Sequence, residues 1–150
     1  MLALGIDPGS AICGYAFIEN LRGQIVVHSF GVITTSPHAL MQDRLLKIYN
    51  ELDALIKTYQ PQVMGVEKLF FGKNSTTAIT VAQARGIVLL CAAQNNLDLI
   101  EITPNEVKQS ITGYGGATKE QVIYMVTKIL NLSEPPTPDD AADALEKAAD

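Results

Sequence analysis

The chain has 150 residues, 47% hydrophobic and 18% charged, with a formal net charge of −5. That length suits one domain, 1–150, with material for a sizeable core, and the composition is that of a soluble globular protein. The acidic balance argues against a generic polyanion binder, which would be basic, but it is compatible with a site that gathers carboxylates around cations.

No apolar run is expected to reach membrane-spanning length, and no basic stretch precedes an apolar one at the N-terminus. Neither a transmembrane helix nor a secretory signal is therefore expected. Cys13 and Cys91 lie far apart inside apolar segments. They read as reduced core residues of a cytoplasmic protein rather than as a disulfide.

In chain order, residues 2–6 read as a buried strand, and "ICGYAFIE" (12–19) and "QIVVHSFGVIT" (24–34) as two more. A turn near Asn20, Arg22 and Gly23 joins the last two. Three strands with short connections predict an antiparallel meander. The period then changes: Met41, Leu45, Ile48, Leu52, Leu55 and Tyr59 fall on one helix face. Ser36 and Pro37 are placed to be its N-cap and first residue.

"QVMGV" (62–66) reads as a second short buried strand, ending on Glu67. From Ser75 to about Gln94 the pattern is helical, and its second half, "IVLLCAA", is apolar on every side. Such a helix is deeply buried or part of a subunit interface. "LDLIEI" (97–102) reads as a final strand.

Thr103-Pro104-Asn105-Glu106 has the capping-box pattern for a short helix carrying Lys108, and "GYGG" (113–116) reads as a loop. Thr118 to Gln121 repeats the box, and Val122, Val126, Ile129 and Leu130 form the next buried face. "SEPPTP" (133–138) reads as a stiff linker, and a last helix is expected from about Pro138. The fold class is α/β: a mixed sheet, meander plus parallel strands, with helices on both faces.

Two acids end central strands in matching contexts: "LGID" at 4–7 and "MGVE" at 64–67. If those strands are neighbours, Asp7 and Glu67 stand side by side at the strand ends, where open sheets bind ligands. The last helix would begin "TPDDAAD", with Asp140 and Asp143 three apart on one face, while Asp139 and Asp143 are also helical neighbours. Spacing alone does not choose between Asp139 and Asp140.

Four converging carboxylates repel one another unless cations compensate. Carboxylate and water ligands suit Mg²⁺, with Mn²⁺ able to substitute. Two such ions about 3.5–4 Å apart could clamp both oxygens of a phosphodiester displacement. Taken singly, each acid has an ordinary explanation. Asp7 suits an Asx-turn before Pro-Gly, Glu67 a surface strand end, and Asp139 and Asp140 a helix N-terminus. The weight lies in the set.

The stretches "GIDPGS", "PQVMGVEKLFFGKNSTTAITVAQARGI", "TPNEVKQSITGYGGATKEQVIYMV" and "PDDAADAL" closely resemble the bacterial RuvC-type Holliday junction resolvases, in order and over nearly the whole chain. The resemblance implies a ribonuclease H-like fold and a Mg²⁺-dependent endonuclease, acting as a homodimer on four-way DNA junctions in recombination and repair. It implies paired symmetric nicks leaving a 5′-phosphate and a 3′-hydroxyl. The RuvA–RuvB branch-migration helicase is a further implied partner.

The family's four acidic positions match Asp7, Glu67, Asp140 and Asp143, and its "DAAD" frame selects Asp140 over Asp139. By the same likeness Asp7 would bridge two metals, Glu67 and Asp140 would complete their shells, and Asp143 would bind metal or orient the attacking water. Phe70 matches an aromatic wedge at the junction centre, while Phe71 is expected in the core. Lys108 and Lys119 match lysines near the scissile phosphate, and Lys68, Lys73 and Arg85 are candidate phosphate contacts. His28 and His38 match nothing catalytic.

Removing the four acids takes the formal charge from −5 to −1, and five of the eleven basic residues fall in the matching motifs. Non-specific DNA binding is still expected to be weaker than in a basic relative. Glu146 and Lys147 depart from the family pattern of apolar residues after "DAL", and "GGAT" lacks a basic residue common there.

The dimer contact is expected on the apolar half of the 75–94 helix. Competing readings are an RNA-processing nuclease of the YqgF type, which "FFGKN" and "DAADAL" disfavour, and a phosphate-binding module of actin and sugar-kinase type, suggested by "DPGS". A junction-binding protein without catalysis is a third.

Overall fold

The computed structural model describes residues 1–68 and 75–136. The expectations for Phe70, Phe71, Lys73, Asp139, Asp140, Asp143 and the last helix lie outside these residues.

Three strands open the chain: β1 (Leu2–Asp7), β2 (Ile12–Leu21) and β3 (Gln24–Thr34). They form the expected meander, β1 antiparallel to β2 and β2 antiparallel to β3. The β2–β3 connection is the two-residue loop Arg22-Gly23, both at positive φ (54° and 88°). That is the geometry matched to strand twist in tight hairpins. The Asn20 side chain accepts a hydrogen bond from the Gly23 N–H at 2.9 Å.

Helix α1 (Met41–Tyr59) buries Ile48, Leu52 and Ile56. It starts later than expected. Ser36 closes a separate turn, its hydroxyl accepting from the His38 N–H at 3.2 Å, and Leu40 precedes the helix with no side-chain cap. Strand β4 (Val63–Glu67) then runs parallel to β1, followed by α2 (Ser75–Gln94) and β5 (Asp98–Ile102), parallel to β4. The sheet order is β3-β2-β1-β4-β5. Last come α3 (Pro104–Thr112) and α4 (Lys119–Ile129), each with the predicted capping box fully formed.

Strand alternation sorts the side chains into two cores. On one face Leu2, Leu4, Ile6, Phe17, Met64 and Val66 pack with α1 and α2. On the other, Ala16, Ile18 and Ile102 pack with Val107, Ile111, Val122, Val126 and Leu130 of α3, α4 and its end. Ile129, expected in this core, is 40% exposed because Leu130 takes the inward position. Cys13 and Cys91 are both buried on the α1–α2 side, and burial pushes the Cys91 thiol up to about 11.

Helix α2 corrects one expectation. Residues Thr77–Gln94 are long and apolar enough, by length and composition alone, to cross a membrane, although only 22% of that stretch is buried. Ala84, Val88, Cys91 and Ala92 face the core, while Ile79 and Leu90 face outward. Apolar residues therefore lie on both the inward and the outward sides of α2.

Candidate metal and DNA site

The site is set by a register. β1 and β4 pair from Ala3↔Val63 to Ile6↔Val66, so Asp7 and Glu67 are the next residues along two adjacent parallel strands. Neighbouring strands lie about 4.8 Å apart, and paired residues point to the same face. Leu4, Ile6, Met64 and Val66 face α1 and α2. By alternation Asp7 and Glu67 face the α3–α4 side, at the carboxyl ends of both strands. Both are partly exposed. The pair Gly5↔Gly65 lies one step below them on the same face, so the backbone there carries no side chains.

The turn after Asp7 is tightly built. A β-carbon on Gly9 would stand 2.2 Å from the Ile12 carbonyl oxygen, so only glycine fits there. The Ser10 carbonyl accepts from the Thr35 hydroxyl, the Thr35 N–H donates to the Ala11 carbonyl at 2.9 Å, and Arg44 Nε donates to Thr35 Oγ1 at 2.9 Å. Thr35, just past β3, and Arg44 of α1 thus brace the loop that follows Asp7. Sequence reading missed Thr35 and Arg44, because neither carries a local signal of its long-range contact.

The end of β4 is held from two sides. The Lys68 N–H donates to the Ile102 carbonyl at 2.8 Å, and Arg85 of α2 donates from Nε to the Glu67 carbonyl at 3.3 Å. The Arg85 guanidinium also pairs with the Glu101 carboxylate on β5. Arg85, a candidate phosphate contact by sequence, is thus engaged within the protein.

Lys108 is half-buried on α3, and Lys119 is the exposed first residue of α4; both helices pack on the sheet face toward which Asp7 and Glu67 point. Lys68 is exposed on β4's end. Hydrogen bonds from the Thr103 backbone and hydroxyl hold the Glu106 carboxyl below its usual range, and the Lys68 charge adds to this. His28 sits away from the acid pair, 2.9 Å from Glu19 on β2, and His38 is exposed.

Carboxylate oxygens at adjacent strand ends, without thiol or imidazole, are the donor chemistry of Mg²⁺ and Mn²⁺. Among the described residues no cluster of three or more His, Cys, Asp or Glu side chains forms. The remaining two acids of the expected set, Asp140 and Asp143, lie outside them.

The sequence model described as crossover junction endodeoxyribonuclease RuvC matches residues 3–149. A protein of that description from Caldicellulosiruptor saccharolyticus is 52% identical over 149 residues, spanning 99% of this chain and 90% of its own. One from Heliobacterium modesticaldum is 49% identical over 148 residues, spanning 99% and 91%. Among solved structures, T. thermophilus RuvC in complex with Holliday junction substrate aligns with a TM-score of 0.94 at 32% identity, over 99% of this chain and 90% of that one. A yeast mitochondrial Holliday junction resolvase shares the fold at 16% identity, with a TM-score of 0.69 over 98% and 75%. The sheet order and these matches agree with the ribonuclease H-like class expected from the sequence.

Proposed function

The chain belongs to the RuvC family of crossover junction endodeoxyribonucleases, and from that premise we propose that it resolves four-way DNA junctions by divalent-metal-dependent hydrolysis. The observation that carries this reading is the register that sets Asp7 and Glu67 side by side at the ends of β1 and β4. Asp7, Glu67, Asp140 and Asp143 are the residues that would hold Mg²⁺, two ions per site, with Mn²⁺ able to substitute. Bound there, divalent ions supply charge neutralisation at the scissile phosphate and a more acidic water.

The protein's own side chains do the rest. Asp7 and Glu67 are fixed by strand ends rather than by loop tips, so their spacing is pre-set before substrate arrives. Lys108 and Lys119, carried by helices packed on that face, offset phosphate charge. Lys68 adds a further phosphate contact, and the family likeness assigns the same role to Lys73. Phe70 stacks at the junction centre, a contact worth about 1–3 kcal/mol per base. Hydrolysis leaves a 5′-phosphate and a 3′-hydroxyl, and paired nicks on strands of like polarity resolve the junction.

Paired nicking needs two sites related by a two-fold axis. The outward apolar residues of α2, Ile79 and Leu90, are where the homodimer contact is placed. On this reading the protein acts on chromosomal junctions in the cytoplasm, with the RuvA–RuvB helicase as its partner.

The test is a synthetic four-way junction beside a linear duplex of the same sequence, with Mg²⁺ or with EDTA. Symmetric nicks in the junction alone, abolished by EDTA, are expected. Equal cutting of the duplex, or cutting in EDTA, would overturn the reading.

A further inference from the structure

Arginines in DNA-cutting proteins are usually assigned to phosphates, yet Arg85 is otherwise engaged. Its side chain is only 15% exposed, and it joins two strands from a helix: Nε to the Glu67 carbonyl at 3.3 Å, and the guanidinium to the Glu101 carboxylate. Val66 and Glu101 are register partners, as are Glu67 and Ile102. Glu101 therefore stands one residue before the strand position level with Glu67. The planar guanidinium can reach both acceptors at once, which a lysine ammonium on a flexible stem does poorly.

The bond to Glu67 is to its main chain. The Glu67–Lys68 peptide plane is held at both edges, its N–H by the Ile102 carbonyl at 2.8 Å and its carbonyl by Arg85 Nε at 3.3 Å. Fixing the carbonyl fixes ψ of Glu67, and with it the direction in which the following chain departs. Glu67's carboxylate faces the opposite side of the sheet from α2, so Arg85 constrains it through the backbone without competing for its oxygens.

We propose that Arg85 and Glu101 form a positioning pair that holds the end of β4 so that the Glu67 carboxylate stays aligned with Asp7 for divalent-cation binding. The inference rests on the acid pair being the metal site. It assigns to Arg85 a role in metal affinity and not in DNA affinity. Two of its five donors are already taken, Nε by the Glu67 carbonyl and one on Nη2 by the Glu101 carboxylate.

The experiment compares the full chain with Arg85→Ala, Arg85→Lys, Glu101→Gln and, as a control on the acid pair, Asp7→Asn. Calorimetric Mn²⁺ titration without DNA is one readout. Junction affinity across a salt series is the second, and the Mn²⁺ concentration for half-maximal cutting is the third.

Arg85→Ala is expected to weaken Mn²⁺ binding and raise that half-maximal concentration by about 10- to 100-fold, the range for residues that support metal ligands. Glu101→Gln, nearly the same shape, should shift both in the same direction, and Arg85→Lys should recover only part. Junction affinity and its salt slope should stay at the wild-type values.

A phosphate contact gives the opposite pattern and would overturn the proposal. Arg85→Ala would then bind Mn²⁺ normally and lose about one unit of salt slope, and Glu101→Gln would tighten junction binding. The two readings fail separately. Wild-type Mn²⁺ affinity in Asp7→Asn refutes the acid pair itself, whereas loss there with normal Arg85→Ala refutes only the clamp.

Discussion

Asp7 owes its place to a neighbour with no side chain. Gly9 lets the chain turn back so closely that a β-carbon would sit 2.2 Å from the Ile12 carbonyl oxygen. Because that obstacle is backbone, it cannot swing aside like a side-chain tip. Gly9→Ala should therefore cost about 1–3 kcal/mol, the usual range for overpacking. It should also lower cutting by displacing the loop that follows Asp7. A urea melt alongside a cleavage assay checks both, and unchanged values in each would show that the loop tolerates the bulk. The acids at 7 and 67 were legible in the sequence because each closes an apolar run. The residues that hold them, Thr35, Arg44 and Glu101, were not. Their partners lie on other elements, and a contact made across the fold leaves no spacing to read.

Among elements, the ones defined by short-range chemistry were the most legible. Both capping boxes formed as written, since three residues suffice to specify each. At α3 the Thr103 hydroxyl accepts from the Glu106 N–H at 3.2 Å, and the Glu106 carboxylate accepts from the Thr103 N–H at 2.7 Å. Thr103→Ala should lower stability by about 1 kcal/mol. The Glu106 carboxyl is held below its ordinary range by these bonds, so the charged form is favoured by folding. Its contribution is present above the unfolded-state pKa and lost as pH falls through the lower folded-state value. The difference in melting temperature between wild type and Thr103→Ala should therefore shrink on acidification through the carboxylate range. A constant gap would show that the hydroxyl–carboxylate bond adds nothing to the cap, since both proteins keep the main-chain bond from the Thr103 N–H. The start of α1 was misread for a related reason. Ser36-Pro37 satisfies the pattern for a helix start, but the hydroxyl serves a tight turn first, and the helix waits until Met41.

At the scale of the whole molecule, strand order converts distant residues into neighbours. β1 is central because β2 and β3 fold back along one side while β4 arrives parallel on the other. The switch from antiparallel to parallel pairing at β1 puts Asp7 and Glu67 level, sixty residues apart in sequence. Alternation then turns both toward the face covered by α3 and α4. The orientation of α2 was not legible, because an all-apolar segment does not say which side meets the core and which is left outward. On the proposed function, these two strand-end carboxylates jointly hold the cation that cutting requires. Junction binding and the rate of junction cutting by Asp7→Asn and Glu67→Gln in Mg²⁺ test this. Each variant should bind the junction as wild type does and cut more than about 100-fold more slowly, since a lost ligand exceeds a lost supporting residue. Cutting by either variant at a rate near that of wild type would contradict it.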